Sequence, residues 1–424
     1  MVLALGRGAA RVLGGVRFVV GRDTRVSGPR LEEALVAGLV SEGMDVRLLG
    51  MAPTPAVAWV AASEGIPGAV ISASHNSFED NGVKLFAAGG LKLTEAVESA
   101  VEEEFHRVLH QEPSSHRAPA TVGAIADGTP DVERWAATVV ASIGAGGLEG
   151  LRVVVDCANG AASGIGPEVL RRLGASVEVL HDAPDGTNIN AGCGSTYPQD
   201  LQRAVVEHGA DAGIAFDGDA DRVLAVDADG RLIDGDQIIG ICAIDRHERG
   251  ALPDDTVVVT VMTNLGFRLG MAEHGITVLE VPVGDRQVLE AMAAGGFILG
   301  GEQSGHVIFR DRATTGDGLL TAVQLLDVAA RSARPLAELA DAAMTRLPQV
   351  LRNVRVATKG TDVTAPLAAD IAAAEAELGD HGRVLIRGSG TEPLVRVMVE
   401  APTAEQAELV AERLVQRVAA LPPG

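Results

Sequence analysis

Short runs of Val and Ile alternate along the chain with stretches in which apolar residues recur every three or four positions, the grammar of strands feeding helices in a layered α/β protein. Residues 17–21 read as a strand, and Leu31, Leu35 and Leu39 predict a helix over about 29–43 that stops at Gly43. Strands follow at 45–49 and 68–71, the latter running into Ser72-Ala73-Ser74-His75-Asn76. After a helix over 132–143 and a glycine-rich joint at 144–150, the pattern begins again. It predicts strands at 151–157, 176–180 and 212–216, helices at 167–173 and 199–208, and an Asp-Gly hairpin at 227–230 between 222–226 and 231–234. A third unit predicts strands at 256–261, 277–281 and 297–299 with helices at 266–274 and 287–293. A fourth predicts a helix at 365–378, strands at 384–387 and 395–399, and an amphipathic closing helix at 404–419. No repeat of sequence is visible, although the βαβ plan recurs.

Residues 106–129 are poor in strand signal and contain Pro113 and Pro119, which predicts a boundary or surface excursion there. A length of 424 residues calls for three or four domains. With 47% hydrophobic and 22% charged residues the composition is that of a soluble globular protein. No apolar run approaches the 18 or so residues that span a bilayer. The first twenty residues interleave Arg7, Arg11 and Arg17 with short apolar stretches and lack a secretory core, so a cytoplasmic location is expected. Cys157, Cys193 and Cys242 are few and unevenly spaced, which fits reduced thiols better than a disulfide framework or a zinc site.

A net charge of −22 argues against a nucleic-acid partner, because a phosphate backbone demands clustered cations. An anionic ligand must then meet a local basic cluster. Of the 35 basic residues only Lys84, Lys92 and Lys359 are lysines, a ratio that genomic base composition accounts for.

Asp217, Asp219 and Asp221 lie at alternate positions in a turn between a buried strand and a hairpin, a hard-oxygen set suited to Mg²⁺, Ca²⁺ or Mn²⁺. An EF-hand is excluded, since its sixth and twelfth positions would be Arg222 and Ala228. Ser74 is presented at a strand end beside His75 and a few residues before Lys84, an arrangement that taken alone more often marks a helix cap or turn than a nucleophile. Glu302-Gln303-Ser304-Gly305-His306 reads as a polar turn. Arg387-Gly388-Ser389-Gly390-Thr391-Glu392, with Arg396, combines arginine forks, hydroxyls and exposed backbone N–H groups, the equipment of a phosphate cradle.

In this order and spacing the four segments resemble the α-D-phosphohexomutase superfamily, and residues 72–84 with Asn190-Ala191-Gly192-Cys193-Gly194-Ser195-Thr196 look like its bacterial phosphoglucosamine mutase branch. The resemblance implies an α/β fold of four domains: three similar units with mixed sheets (1–145, bearing a phosphoserine; 146–250, metal-binding; 251–345, sugar-recognising) and a smaller C-terminal α+β domain (346–424, phosphate-binding), around a central cleft. It implies that Ser74 carries a phosphoryl group and that Asp217, Asp219 and Asp221 hold one Mg²⁺ together with a Ser74 oxygen. Arg222 and Lys84 would stabilise the transferring group, with His75 beside it. Glu302, Ser304 and His306 would meet the sugar, and Arg387, Ser389, Gly390, Thr391 and Arg396 would grip the phosphate that is not reacting.

The expected reaction interconverts glucosamine 6-phosphate and glucosamine 1-phosphate through a sugar 1,6-bisphosphate, which also serves as activator, and feeds UDP-N-acetylglucosamine and cell-wall synthesis. The partner is a phosphosugar, with neither nucleic acid nor membrane, and the chain is a monomer or homodimer. The alternatives are a phosphoglucomutase or phosphomannomutase, a phosphatase, and a non-catalytic phosphosugar-binding paralogue. The last is motivated by the family's first strand and Gly-Thr-Asp-Gly-x-Arg-Gly loop, which have no counterpart here: either the start is assigned too late or the chain is truncated, and in the second case impaired folding of the first domain and a large loss of activity are expected. Gly388, Ser77 and Tyr197 depart from the family's commoner Lys, Pro and His.

Overall fold

The computed structural model describes residues 1–110, 122–356, 363–388 and 393–421. They build four sheets. The first contains β1 (Arg17–Arg22), β2 (Asp45–Met51), β3 (Gly68–Ile71), β4 (Val83–Phe86) and β5 (Ile125–Asp127) in the order β4-β3-β1-β2-β5. The second contains β6 (Arg152–Asp156), β7 (Ser176–Leu180), β8 (Ala212–Phe216), β9 (Val223–Asp227) and β10 (Leu232–Ile233) in the order β10-β9-β8-β6-β7. The third orders β11 (Thr256–Thr260), β12 (Thr277–Val281), β13 (Leu299–Gly301) and β14 (Val307–Phe309) as β12-β11-β13-β14.

These three sheets share one plan. Two parallel strands flank the first strand of each unit, and the later of them turns back into an antiparallel neighbour: β3 into β4, β8 into β9, β13 into β14. The repeat that the residues conceal is therefore explicit in the topology, and the turn-back loops occupy equivalent places. Those loops hold Ser74, the three aspartates, and Glu302 with Ser304.

The strand cores are nearly continuous apolar runs because helices cover both faces, as parallel sheets require. Val153, Val154 and Val155 of β6 and Val257, Val258 and Val259 of β11 are all buried. The helix Gly28–Ser41 forms where expected, with Leu35, Val36 and Leu39 inward. Helices Thr54–Glu64, Gly235–Glu248 and Gly318–Ser332 have no sequence-based counterpart. Each is apolar on most sides, with Ala56, Val57, Ala58, Val60 and Ala61 buried in the first of them, so no 3.6-residue stripe marks it. Residues 106–129 are corrected in part. Ile125–Asp127 is an edge strand on β2 whose three residues are exposed, so burial leaves no hydrophobic signature. Pro113 and Pro119 lie outside the described residues.

The chain divides into two compact units, Met1–Val261 with Ile276–Asp341, and Met262–Gly275 with Ala342–Gly424. The second is built on the antiparallel sheet β15 (Gln349–Arg355), β17 (Leu394–Glu400), β16 (Arg383–Gly388) in that order. Helices Thr364–Leu378 and Ala404–Ala419 cover it through Leu367, Ala374, Val410 and Leu414. Helix Leu265–Glu273 belongs to this unit. The Leu265 N–H donates to Glu400 Oε2 at 2.9 Å, and Asn264 Oδ1 caps the Gly266 N–H at 3.0 Å. Among the described residues no helix is long and apolar enough to cross a membrane.

Candidate active site

The serine loop leaves the C-terminal end of β3 and the aspartate loop that of β8, the position where open α/β sheets gather ligands. They meet. Ser74 Oγ donates to Asp217 Oδ2 at 2.6 Å, and Ser74 is only 8% exposed. Ser74 and Ala220 both adopt left-handed backbone, φ 52° and 55°, a strained conformation for residues with a side chain. A side-chain carbon on Gly218 would lie 2.6 Å from the Ser74 carbonyl oxygen, so only glycine lets the two loops approach this closely.

Asp217, Asp219 and Asp221 are buried, and their carboxylate oxygens converge to within 4.8 Å of one another. Asp219 Oδ1 and Asp221 Oδ1 are inaccessible and lack a hydrogen-bond partner among the described residues. Buried carboxylate oxygens left without partners fit a hard divalent cation, whose oxygen ligands they would become. The residues present therefore suit a metal ion.

The surrounding charges are arranged unevenly. Burial raises the Asp217 carboxyl well above the ordinary range, and the charges of Asp221 and Asp219 push it the same way. Burial also acts to raise Asp221, but Lys84, His306 and Arg222 outweigh it and hold that carboxyl well below. Lys84 Nζ donates to Asp219 Oδ2 at 2.6 Å and Asp221 Oδ2 at 2.9 Å; desolvation opposes its charge, yet the two carboxylates raise its pKa. His75 is exposed, with Nδ1 3.4 Å from Ser74 Oγ and 3.0 Å from Arg222 Nη1. Partial burial and the Arg222 charge lower its pKa.

The third turn-back loop is tied to the second. The Val223 N–H donates to the Gly305 carbonyl at 3.1 Å, and a side chain at Gly305, φ 90°, would collide with the Val223 oxygen. His306 is 2% exposed, with Nδ1 3.6 Å from Asp221 Oδ1, while its Nε2 accepts from the Gly316 N–H at 3.2 Å and lies 3.6 Å from Asp285 Oδ2. Ser304 is exposed at the loop tip and Glu302 half-buried, accepting from the Gly284 N–H at 3.3 Å. In the C-terminal unit Arg387 and Arg396 face each other across β16 and β17. Burial and the Arg396 charge lower the Arg387 pKa. Ser389, Gly390 and Thr391 lie outside the described residues.

Four family models match the chain in succession. These are phosphoglucomutase/phosphomannomutase alpha/beta/alpha domain I over residues 1–112, domain II over 132–230, domain III over 234–347, and the C-terminal domain over 351–417. A phosphoglucosamine mutase of Frankia casuarinae is 58% identical over 96% of this chain and 88% of its own length. Another, from Moorella thermoacetica, is 52% identical over 99% and 95%. The chain belongs to the phosphoglucomutase/phosphomannomutase family. It is an isomerase, a phosphohexose mutase. A crystal structure of a family protein from Burkholderia thailandensis superposes with a TM-score of 0.83 at 26% identity, covering 100% of this chain and 94% of that one.

Within this family site, five residues to which motif reading assigned no role hold the serine and aspartate loops. Arg25 is fully buried; its Nε donates to Asp23 Oδ2 at 2.8 Å and its guanidinium also donates to the carbonyls of Ser74, Asn76, Ser77 and Asp80. Asp23 Oδ2 accepts from Ser72 Oγ at 2.7 Å, and Ser72 Oγ accepts from the Ser74 N–H at 2.9 Å. Asn190 Nδ2 donates to the Ser74 and Asn76 carbonyls, both at 2.9 Å. Thr54 Oγ1 donates to Asp219 Oδ2 at 2.5 Å. The signal available for Arg25 was an Asp-Thr-Arg run directly after a strand, which carries no chemistry by itself.

Proposed function

We propose that the chain interconverts glucosamine 6-phosphate and glucosamine 1-phosphate, with Ser74 as the phosphoryl carrier. The observation that carries this reading is Ser74 Oγ at 2.6 Å from Asp217 inside a trio of buried aspartates with unpartnered oxygens. The phosphoglucosamine mutase relatives supply the sugar.

Asp217, Asp219 and Asp221, with an oxygen on Ser74, would hold Mg²⁺, which when bound neutralises charge on the transferring group. The phosphoryl group passes from Ser74 to the free hydroxyl of the sugar monophosphate: the serine P–O bond breaks, a P–O bond to the sugar forms, and the proton that the sugar hydroxyl gives up is taken by the freed Ser74 oxygen. Lys84 and Arg222 stand where the equatorial oxygens need positive charge, and Arg222 also holds His75 beside Ser74. The bisphosphorylated sugar then turns and returns its other phosphate to Ser74. Glu302 and Ser304 are proposed to bind sugar hydroxyls, with buried His306 as their fixed base. Arg387 and Arg396, like charges opposed across a ladder, favour an anion beside them, and with Ser389, Gly390 and Thr391 are assigned to the distal phosphate.

We place the working domains at residues 1–145, 146–250, 251–345 and 346–424; each range contains one sheet.

The test has two parts. After incubation with glucosamine 1,6-bisphosphate, intact mass should rise by one phosphate in the wild type and not in Ser74→Ala. Coupled assays should then show turnover on glucosamine phosphates well above that on glucose or mannose phosphates; a higher turnover on glucose 1-phosphate would reassign the substrate, and failure to accept a phosphate would remove Ser74 as the carrier.

A further inference from the structure

A second set of ligand atoms converges away from the aspartate trio. Asp156 ends β6, His181 follows β7, and Cys193 precedes the short turn Gly194–Thr196. Because Asp156 pairs in register with Leu180, the loops leaving the two parallel strands emerge side by side. The Asn159 N–H donates to the His181 carbonyl at 2.7 Å and the Asn190 N–H to the Ala158 carbonyl at 2.9 Å, drawing the third loop in. Ala158, Asn159, His181 and Asn190 all carry positive φ, 49° to 56°, so four residues with side chains share the strained left-handed region around one spot.

Asp156 and Cys193 are fully buried, and His181 is partly exposed. Asp156 Oδ1 accepts from the Ala158 N–H and Oδ2 from the Gly194 N–H, each at 2.9 Å, which fixes the carboxylate. His181 Nδ1 is buried and faces Asp156 Oδ2 at 3.1 Å, an ion-pair distance at an angle too poor for a good hydrogen bond, and that carboxylate raises the imidazole's pKa. One carboxylate oxygen, one imidazole nitrogen and the Cys193 sulfur lie within 4.8 Å of one another.

We propose that Asp156, His181 and Cys193 form a second cation site, distinct in chemistry from the aspartate trio, that takes Zn²⁺ or a like transition ion. Sulfur, nitrogen and oxygen together suit zinc and exclude magnesium as the preferred guest. Bonds of about 2.0–2.3 Å in a tetrahedron give ligand separations of roughly 3.3–3.7 Å, close to the observed carboxylate-to-imidazole distance. His181 Nε2 lies 3.7 Å from Asp200 Oδ2, a carboxylate placed to keep the proton on that nitrogen and leave Nδ1 free to ligate. The exposed edge of His181 is the entry path and the open fourth position. Binding costs one proton: the Cys193 S–H bond breaks, the proton passes to solvent, and the sulfur bonds the metal. The cysteine pattern argued against zinc because two of the three ligands are not cysteines and come from other loops. Asn190, three residues before Cys193, holds the Ser74 carbonyl, so an ion here fixes the root of a loop that positions the reactive serine.

Co²⁺ is the probe, since a thiolate ligand gives a sulfur-to-cobalt charge-transfer band that oxygen ligands cannot. One equivalent added to the reduced full-length protein should produce the band, and Zn²⁺ should abolish it. Cys157→Ser, Cys242→Ser and Asp217→Asn should retain the band; Cys193→Ser and His181→Gln should lose it. If Cys193→Ser fails to fold by circular dichroism, His181→Gln carries the test, because it leaves the thiol intact. No band in the wild type, or a band that survives loss of Cys193 or of His181, overturns the site.

Discussion

The buried guanidinium of Arg25 donates to the backbone carbonyl of Ser74 at 2.9 Å, so the main chain of the proposed phosphoryl carrier is gripped separately from its side chain, which Asp217 holds. Arg25→Met removes this grip and leaves buried Asp23 without its charged partner, with only the Ser72 hydroxyl and a backbone N–H still donating to it. The expected result is a kcat lowered by about 100-fold, the order that a small misplacement of a reacting group costs, and a stability loss of about 3–5 kcal/mol from the orphaned carboxylate. Arg25→Lys, which keeps the charge but not the fork, should recover stability before activity. Steady-state kinetics beside denaturant melts would show it; full activity in Arg25→Met would contradict the role.

Thr54→Val deletes the hydroxyl that orients Asp219 while preserving volume. Loss of such a supporting hydrogen bond typically weakens a metal by 10–100-fold. Activity titrated against Mg²⁺ should show a higher half-saturation with kcat restored at excess metal. An unchanged titration would mean that the Thr54 hydroxyl takes no part in holding the metal.

Lys84 occupies the same carboxylates that a cation needs. In protein lacking phosphate on Ser74, Lys84→Met should tighten Mg²⁺ binding by about tenfold, since removing one charge at this distance is worth 1–4 kcal/mol in a part-buried site. The same change should sharply reduce mutase kcat, because the ammonium no longer faces the transferring group. Calorimetry and kinetics moving in opposite directions is the signature; weaker binding would show that Lys84 supports the metal site.

Asp317 caps helix Gly318–Ser332 and accepts from Trp135 Nε1 at 3.1 Å, and burial pushes its carboxyl up from 3.8 to about 6 against those hydrogen bonds. With the folded pKa above the unfolded one, the native state binds the proton more tightly. This contribution is complete below about pH 4 and is lost as pH rises through 6. A shift of that size corresponds to about 3 kcal/mol. Stability profiles from pH 4 to 7 should fall more steeply for the wild type than for Asp317→Asn, and parallel profiles would refute it.

Much of this was legible in the residues. Strands such as Gly68–Ile71, Ser176–Leu180 and Ala212–Phe216 and the closing helix Ala404–Ala419 stand at their expected bounds, because each is either a short bounded apolar run or a single amphipathic stripe. Helices buried on most sides, such as Thr54–Glu64, leave no period to read, and an exposed edge strand such as Ile125–Asp127 leaves no apolar one. The aspartate trio could be read because its ligands are adjacent in sequence. Arg25, Thr54 and Asn190 could not, since each acts on a loop far along the chain through backbone carbonyls or a single carboxylate.

The bond between Val223 and Gly305 sets a limit on how such an enzyme can change its diet. The root of the sugar loop, Gly305 with His306, is welded to the aspartate turn, whereas Ser304 stands free at the tip. On the proposed role of this loop, mutations at exposed Ser304 would retune sugar preference with little effect on phosphoryl transfer, whereas those at Gly305 would alter both at once. Divergence in this architecture is steered toward the loop's outer edge, where new substrates can be tried while the chemistry is inherited intact.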